Sequence, residues 1–356
     1  MKSRSRNIIL TSLAFIVLFV FAVSCTHKDL CYYHPHRAPV KIKVDWNGYK
    51  VDGMTAYLFC KEDINQTIQT TFTTHQVNEI AFDVLEGTYT AAIFNNTPDE
   101  YATLKFNDLS NYDEASVQVT ETTAEWYNKY NVKSGDLYVA HQPEWIARGL
   151  SENFTITPEM VETAEKEYID GGFREAARTV TLIDEIAPDS IICNMEIRVK
   201  LQGIDNYYQA RGIVSGLALG KHINKNVTLN ETVSHYVGMN SWKIDPESFD
   251  ESGTTGEIVG TLTCFGLPSD FRGTKEEITL TLEIMLVDLK TQVKLDVPLE
   301  IGDLVKKREG SENLYMIVSI PFPKILPYVD PADGDEGGFG VDIEDWEREE
   351  IDILDH

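Results

Sequence analysis

Glu277-Ile278-Thr279-Leu280-Thr281-Leu282-Glu283-Ile284 alternates polar and apolar residues without a break, and Gln292-Val293-Lys294-Leu295-Asp296-Val297 repeats the pattern after Leu289-Lys290-Thr291. Successive side chains of an extended chain point to opposite faces. Period-two alternation therefore puts Ile278, Leu280, Leu282 and Ile284 on one face and Thr279, Thr281 and Glu283 on the other. The two runs with the turn between them read as an antiparallel pair with one apolar and one wet face.

The same texture extends in both directions. Residues 177–186, 191–201, 209–219 and 254–265 are β-rich runs in the second half of the chain. In the first half, Val40-Lys41-Ile42-Lys43-Val44-Asp45-Trp46 alternates and ends at the turn pair Asn47-Gly48. Residues 54–60, 68–74, 80–84, 116–121 and 135–141 are further strand candidates. Leu85-Glu86-Gly87 followed by Tyr89, Ala91 and Ile93 on one face reads as a hairpin between residues 80–84 and the strand that carries those three. One helix is expected, because Thr157-Pro158-Glu159 supplies a cap, a first-position proline and an acid in the first turn, and Gly171-Gly172 ends it. Many short strands with turn signals between them, and almost no helical period, imply an all-β chain of two tandem antiparallel β-sandwiches, residues 40–172 and 173–329.

The ends differ from the middle. Lys2, Arg4 and Arg6 precede an uncharged apolar run over residues 8–23, the form of an export signal occupying residues 1–24. The run is short for a membrane span, which needs about 20 apolar residues, and it closes on Phe21-Ala22-Val23-Ser24-Cys25. Small residues before a cysteine have the form of a lipobox, with Cys25 as the lipidation site and residues 25–39 as a tether. An uncleaved N-terminal anchor is the alternative reading. Either one puts the body of the protein outside the cytoplasm.

At the other end, residues 330–356 hold twelve acids and one arginine. Asp330-Pro331-Ala332-Asp333-Gly334-Asp335-Glu336-Gly337-Gly338 is a linker by composition. Yet Phe339, Val341, Ile343, Trp346, Ile351 and Ile353 form an apolar series that a purely solvated tail would not carry, so this stretch is expected to serve as a donor or partner strand.

Without residues 1–24 the chain keeps 28 Lys and Arg against 57 Asp and Glu, a net charge of −29. That balance speaks against nucleic acid as a partner and against attraction to acidic lipid, which leaves membrane attachment to the lipid on Cys25. Cys31, Cys60, Cys193 and Cys264 form no Cys-x-x-Cys pair, which excludes a zinc ribbon or a thioredoxin-type site. The last three lie in apolar runs where a disulfide and a buried free thiol are both natural.

Little else points to chemistry. The sequence has no Gly-x-Ser-x-Gly elbow, no His-Glu-x-x-His and no phosphate-cradling glycine loop, so no catalytic residue, no metal site and no cofactor is assigned. Cys31, His34 and His36 suit a soft metal but lack a fourth ligand, and the acids of residues 330–336 depart from the spacing of a calcium loop. Trp126, Tyr127, Tyr130, Trp145, Tyr207 and Tyr208 could stack on sugars, although aromatics also dominate cores.

Taken in order, Cys25-Thr26-His27-Lys28-Asp29-Leu30-Cys31, Tyr32-Tyr33-His34-Pro35-His36, Val44-Asp45-Trp46, the Leu85-x-Gly87-x-Tyr89 turn, Ala210-Arg211-Gly212-Ile213-Val214-Ser215-Gly216 and Gly338-Phe339-x-Val341 resemble the fimbrillin-like lipoproteins of Bacteroides-type bacteria. The resemblance implies two transthyretin-like sandwiches and a non-enzymatic role in fimbriae and cell adhesion, as an anchor, tip or accessory subunit. It implies acyl chains such as palmitate at Cys25, attachment to the outer membrane with exposure at the cell surface, and fimbrial subunits as partners through strand pairing. A lipid-anchored glycan-binding protein is the second reading. Stalk subunits of that superfamily lose an N-terminal strand by proteolysis after an arginine, and Arg37, just before Ala38-Pro39-Val40, is here the nearest arginine to the first strand.

Overall fold

The structure, a computed structural model, describes residues 36–63, 67–73, 77–122, 136–286, 292–294, 299–309 and 315–327. Its first strands are β1 (Ala38–Val44), β2 (Gly53–Cys60), β3 (Ile68–Thr73), β4 (Glu79–Val84) and β5 (Gly87–Phe94). Next come β6 (Leu104–Asn107), β7 (Ser116–Val119), β8 (Val139–Ala140), β9 (Ala147–Leu150), β10 (Phe154–Ile156) and the helix α1 (Pro158–Asp170). The chain continues through β11 (Thr181–Ile186), β12 (Asp189–Ser190), β13 (Cys193–Gln202), β14 (Tyr207–Ala218), β15 (Gly220–His222) and β16 (Thr232–Val237). It closes with β17 (Trp242–Asp245), β18 (Thr255–Cys264), β19 (Thr279–Leu286), β20 (Gln292–Lys294), β21 (Leu299–Glu300), β22 (Lys306–Lys307) and β23 (Met316–Pro321).

The fold is all-β, as the alternation implies. Its sheets run β11-β1-β4, β12-β9-β5-β2-β3, β17-β18-β13-β23-β22, β20-β19-β14-β16-β8 and β15-β7-β6. Most pairs are antiparallel. β13 with β23 and β16 with β8 are parallel. Among the described residues no helix is long and apolar enough to cross a membrane.

The chain divides into two compact units. The described residues of the smaller are 36–40, 81–86 and 156–181, and the larger holds the rest. In the smaller unit α1 starts as its sequence dictates: Thr157 caps it by accepting from the Met160 N–H at 3.3 Å, with Pro158 in the first turn. Gly171 ends it, donating its N–H to the Glu167 carbonyl at 2.9 Å. A Cβ on Gly171 would stand 2.1 Å from that of Ala177, so only glycine lets the chain fold back there.

Apolar clusters fill the larger unit. In one, alternate residues of β13 (Met195, Ile197, Val199, Leu201) pack with Val214, Leu280, Leu282, Ile284 and Val318. Another gathers Tyr57, Phe59, Phe94, Val117, Val119, Ile146 and Phe265. Burying one such side chain contributes about 1.5–3 kcal/mol, so these clusters outweigh any single polar contact. β14 bulges between Ser215 and Leu217. Gly216 takes φ +90° there, and a Cβ would meet the Glu277 carbonyl at 2.0 Å.

Two expectations are corrected. Residues 80–84 and the strand after Gly87 do not form a hairpin, because β4 and β5 belong to different sheets. Gly87, at φ +150°, turns the chain from one sheet to the other; alternation reveals a strand's faces but not its partner. Nor is the polar face of β19 wet, since Thr281 and Glu283 are buried. Glu283, 4% exposed, faces its register partner Arg211 on β14, and the two form an ion pair at 2.6 Å. A carboxylate tolerates removal from water when it is paired and hydrogen-bonded.

Two more cations, buried Lys221 and half-buried Arg148, have no such carboxylate partner among the described residues. Arg148 donates through Nη1 to the carbonyls of His222 at 3.0 Å, Ile223 at 2.9 Å and Lys225 at 3.2 Å. Burial first, and Arg148 second, lower the Lys221 pKa from 10.5 to about 8. Below pH 8 the lysine is charged in both folded and unfolded chains, and its burial costs stability. Between about 8 and 10.5 the unfolded chain holds the extra proton, so this cost fades as pH rises. We therefore expect Lys221→Met to stabilise the protein by about 2–3 kcal/mol below pH 8, with the gain vanishing toward pH 10.5. Urea unfolding of both proteins across that range measures it; an advantage independent of pH would refute the assignment.

Candidate functional site

The arginine singled out in the tether sits where the chain enters its first strand. The Arg37 carbonyl accepts a hydrogen bond from Arg178 Nη1 at 3.0 Å. The same nitrogen donates to Asp83 Oδ1 at 2.8 Å, and Nη2 pairs with Glu175. The Arg178 side chain is 6% exposed. Burial opposes its charge, but the hydrogen bonds and fields of Asp83 and Glu175 outweigh burial and raise its pKa. The guanidinium is therefore charged at every physiological pH, and its donors stay available to the Arg37 carbonyl.

Local structure delivers Arg178 to that point. After α1 the chain reverses through Gly172 and Phe173, both with positive φ, and a single 3-10 turn over Glu175–Ala177 leads into Arg178. The next residue is tied back to the helix: the Thr179 N–H donates to Glu167 Oε2 at 2.6 Å and its hydroxyl to Oε1 at 2.9 Å. On the tether side His36 pairs with Glu165 of α1. On the fold side Ala38 is 2% exposed. The joint is thus fastened before, at and after Arg37.

Any protease attacking the Arg37–Ala38 bond would meet this arrangement. A protease must draw the scissile carbonyl oxygen into its own oxyanion hole and hold the flanking residues extended. Here that oxygen is occupied and the following residue is inside a strand. Cleavage would require local opening first.

The other polar constellations among the described residues brace the sheets. Asp136 accepts from Ser234 Oγ and Thr232 Oγ1, both at 2.6 Å, and from the Gly216 N–H at 3.0 Å; Ser234 and Ser215 hydroxyls are 2.7 Å apart. His235 follows Ser234 in the chain and is wholly buried, and burial outweighs the backbone around Ala140 and His141 to lower its pKa to about 4. The hydroxyls are spent on Asp136 and on each other, and with the Gly216 N–H they brace the bulge of β14. Arg198 ties Glu196, Asp245 and Glu257 together across β13, β17 and β18. Among the described residues no three metal-ligating side chains converge.

Of the aromatics, Tyr207 is buried and Tyr208 is exposed, while Trp145 lies 5.2 Å from exposed Tyr49 at a 43° tilt. Trp126, Tyr127, Tyr130, Cys25, Cys31 and His34 lie outside the described residues, as do Asp330 and the partner-strand series Phe339, Val341, Ile343, Trp346, Ile351 and Ile353. Sequence reasoning found Arg37 but not Arg178, Asp83 or Glu175. Arg178 is 141 residues from Arg37, and no local pattern marks a contact of that range.

A family model described as a domain of unknown function (DUF5119) matches residues 24–238. No curated protein matches the chain. Among solved structures, a candidate adhesin of Bacteroides ovatus is 14% identical, over 86% of this chain and 99% of its own, with a TM-score of 0.49. The fimbrial anchor protein Mfa2 of Porphyromonas gingivalis is 11% identical, over 80% and 90%, with a TM-score of 0.43. A candidate polysaccharide-binding protein of Bacteroides thetaiotaomicron is 13% identical, over 80% and 90%, at 0.42.

Removing the guanidinium should open the joint. Hydrogen bonds to a charged group contribute about 1.5–3 kcal/mol, so Arg178→Ala should speed tryptic cleavage after Arg37 by roughly 10–100-fold. N-terminal sequencing of timed digests gives the rate. An unchanged rate would show that the clasp does not guard the bond.

Proposed function

The chain belongs to this family of unknown function, DUF5119, and from its own residues we propose that it is a non-enzymatic surface lipoprotein of the fimbrillin-like type. Lipid on Cys25 ties it to the outer membrane, and its sandwiches bind other fimbrial subunits by strand pairing. Among anchor, tip and accessory roles we favour the anchor.

The observation that supports the anchor is the closed joint at Arg37. An anchor must transmit force from its lipid to its fold through an unbroken backbone, and a cut after Arg37 would sever that path. The carbonyl held by Arg178, with Ala38 buried beyond it, keeps the bond from a protease in the folded protein. Beyond the joint the tether continues as β1, which lies between β11 and β4 in its sheet. A strand bonded on both sides resists extraction better than an edge strand.

Strand pairing has its own logic. An open sheet edge offers unpaired backbone groups, and an alternating segment can satisfy them while seating every second side chain. Phe339, Val341 and Ile343 have that spacing, and we assign the segment as the strand given to a neighbouring subunit. A glycan-binding surface is the second reading, favoured by the exposed Tyr49 beside Trp145. Loss of subunit binding on deletion of residues 330–356 separates the two, because sugar stacking would survive it.

The direct experiment is the intact mass and N-terminal peptide of the protein extracted from its native membrane. The anchor predicts an acylated Cys25 still joined through Arg37 to Ala38. A chain that begins at Ala38 would mark a processed subunit and end the anchor reading.

A further inference from the structure

β13 and β18 run antiparallel, and their register sets Cys193 directly opposite Cys264. Residues opposed in this way have Cα atoms about 4.5–5.5 Å apart, inside the span of about 4.4–6.8 Å that a disulfide bridges. The two sulfurs stand 3.5 Å apart, and a bond needs about 2.05 Å, a closure within reach of small side-chain rotations. Both residues are buried, at 3% and 0% exposure. Cys60, the other cysteine among the described residues, turns instead to the Glu62 carboxylate at 3.4 Å.

We propose that Cys193 and Cys264 form a disulfide that staples the start of β13 to the end of β18. Where the oxidation takes place rests on the export reading of residues 1–25; the geometry that permits it does not. Bond formation removes two protons and two electrons from the two thiols. A disulfide of the thiol-oxidoreductase or glutathione class accepts them and becomes two thiols. One cysteine thiolate attacks the oxidant's disulfide and releases a thiolate, and the second cysteine then attacks the mixed disulfide and releases the other.

The order of events follows from burial. In the folded chain the neighbouring Cys193 and burial hold the Cys264 thiol well above its ordinary pKa, so the attacking thiolate is scarce once the sheet has closed. Oxidation therefore belongs to folding, while β13 and β18 are finding their register. The finished bond encloses β14 to β17 in a loop whose ends are 71 residues apart. Stretching force on the chain would not extend that loop.

Two arms test this. In the first, the reduced full chain is unfolded, refolded in mixed reduced and oxidised glutathione, alkylated and digested without reduction for mass spectrometry. The peptides of Cys193 and Cys264 should emerge linked, Cys60 alkylated, and melting about 5–15 °C above that of the reduced protein. Folded protein with both thiols alkylated, or either one joined to Cys60, would overturn the proposal. In the second arm, protein from the native membrane is alkylated on extraction. Free Cys193 and Cys264 beneath an acylated Cys25 would also overturn it. A linked pair after refolding, but free thiols in a chain that retains residues 1–24, would uphold the bond and refute export instead.

Discussion

One guanidinium holds the point where the tether becomes the fold. Arg178 reaches the Arg37 carbonyl, Asp83 and Glu175 from a side chain almost wholly withdrawn from water. Withdrawing an unpaired guanidinium would cost several kcal/mol, so the two carboxylates are what allow it to be there. The backbone carbonyl gains by the same arrangement, since a charged donor in a partly dry setting bonds it more strongly than water would. The anchor role we propose depends on that carbonyl being held.

The same physics recurs elsewhere with different outcomes. Arg211 and Glu283 lie opposite each other on neighbouring strands, so each neutralises the other and the sheet can be covered on both faces. Arg148 meets carbonyl oxygens alone among the described residues, and its pKa falls to about 10 under burial. Lys221, under burial and the nearby Arg148 charge, falls from 10.5 to about 8. In a chain with 57 acids, buried cations that lack a carboxylate are a cost carried by the surrounding core.

Strand identity was legible because alternation is a local property. The residues of β1, β13, β18 and β19 announce their two faces, and Thr157-Pro158 announces the helix. Pairing was not legible. Gly87 reads as a hairpin turn but sends its strand to another sheet, and the parallel neighbour of β13 comes from residues 316–321, far along the chain. Arg37 could be found by its position before the first strand. The clasp on it could not, because Asp83, Glu175 and Arg178 meet only after the chain has folded. Cys193 and Cys264 show the same limit: two cysteines in two apolar runs carry no sign of their register until the strands are paired.

Amide hydrogen exchange in the full-length chain, read by mass spectrometry over residues 38–44, shows whether the chain enters its fold through a closed joint at Arg37. If β1 is held as described, its amides should exchange as slowly as those of β13, through openings that approach global unfolding. Exchange at the rate of exposed loops would mean that the strand leaves its sheet readily. The Arg37–Ala38 bond would then be open to proteases, and the anchor account would fail.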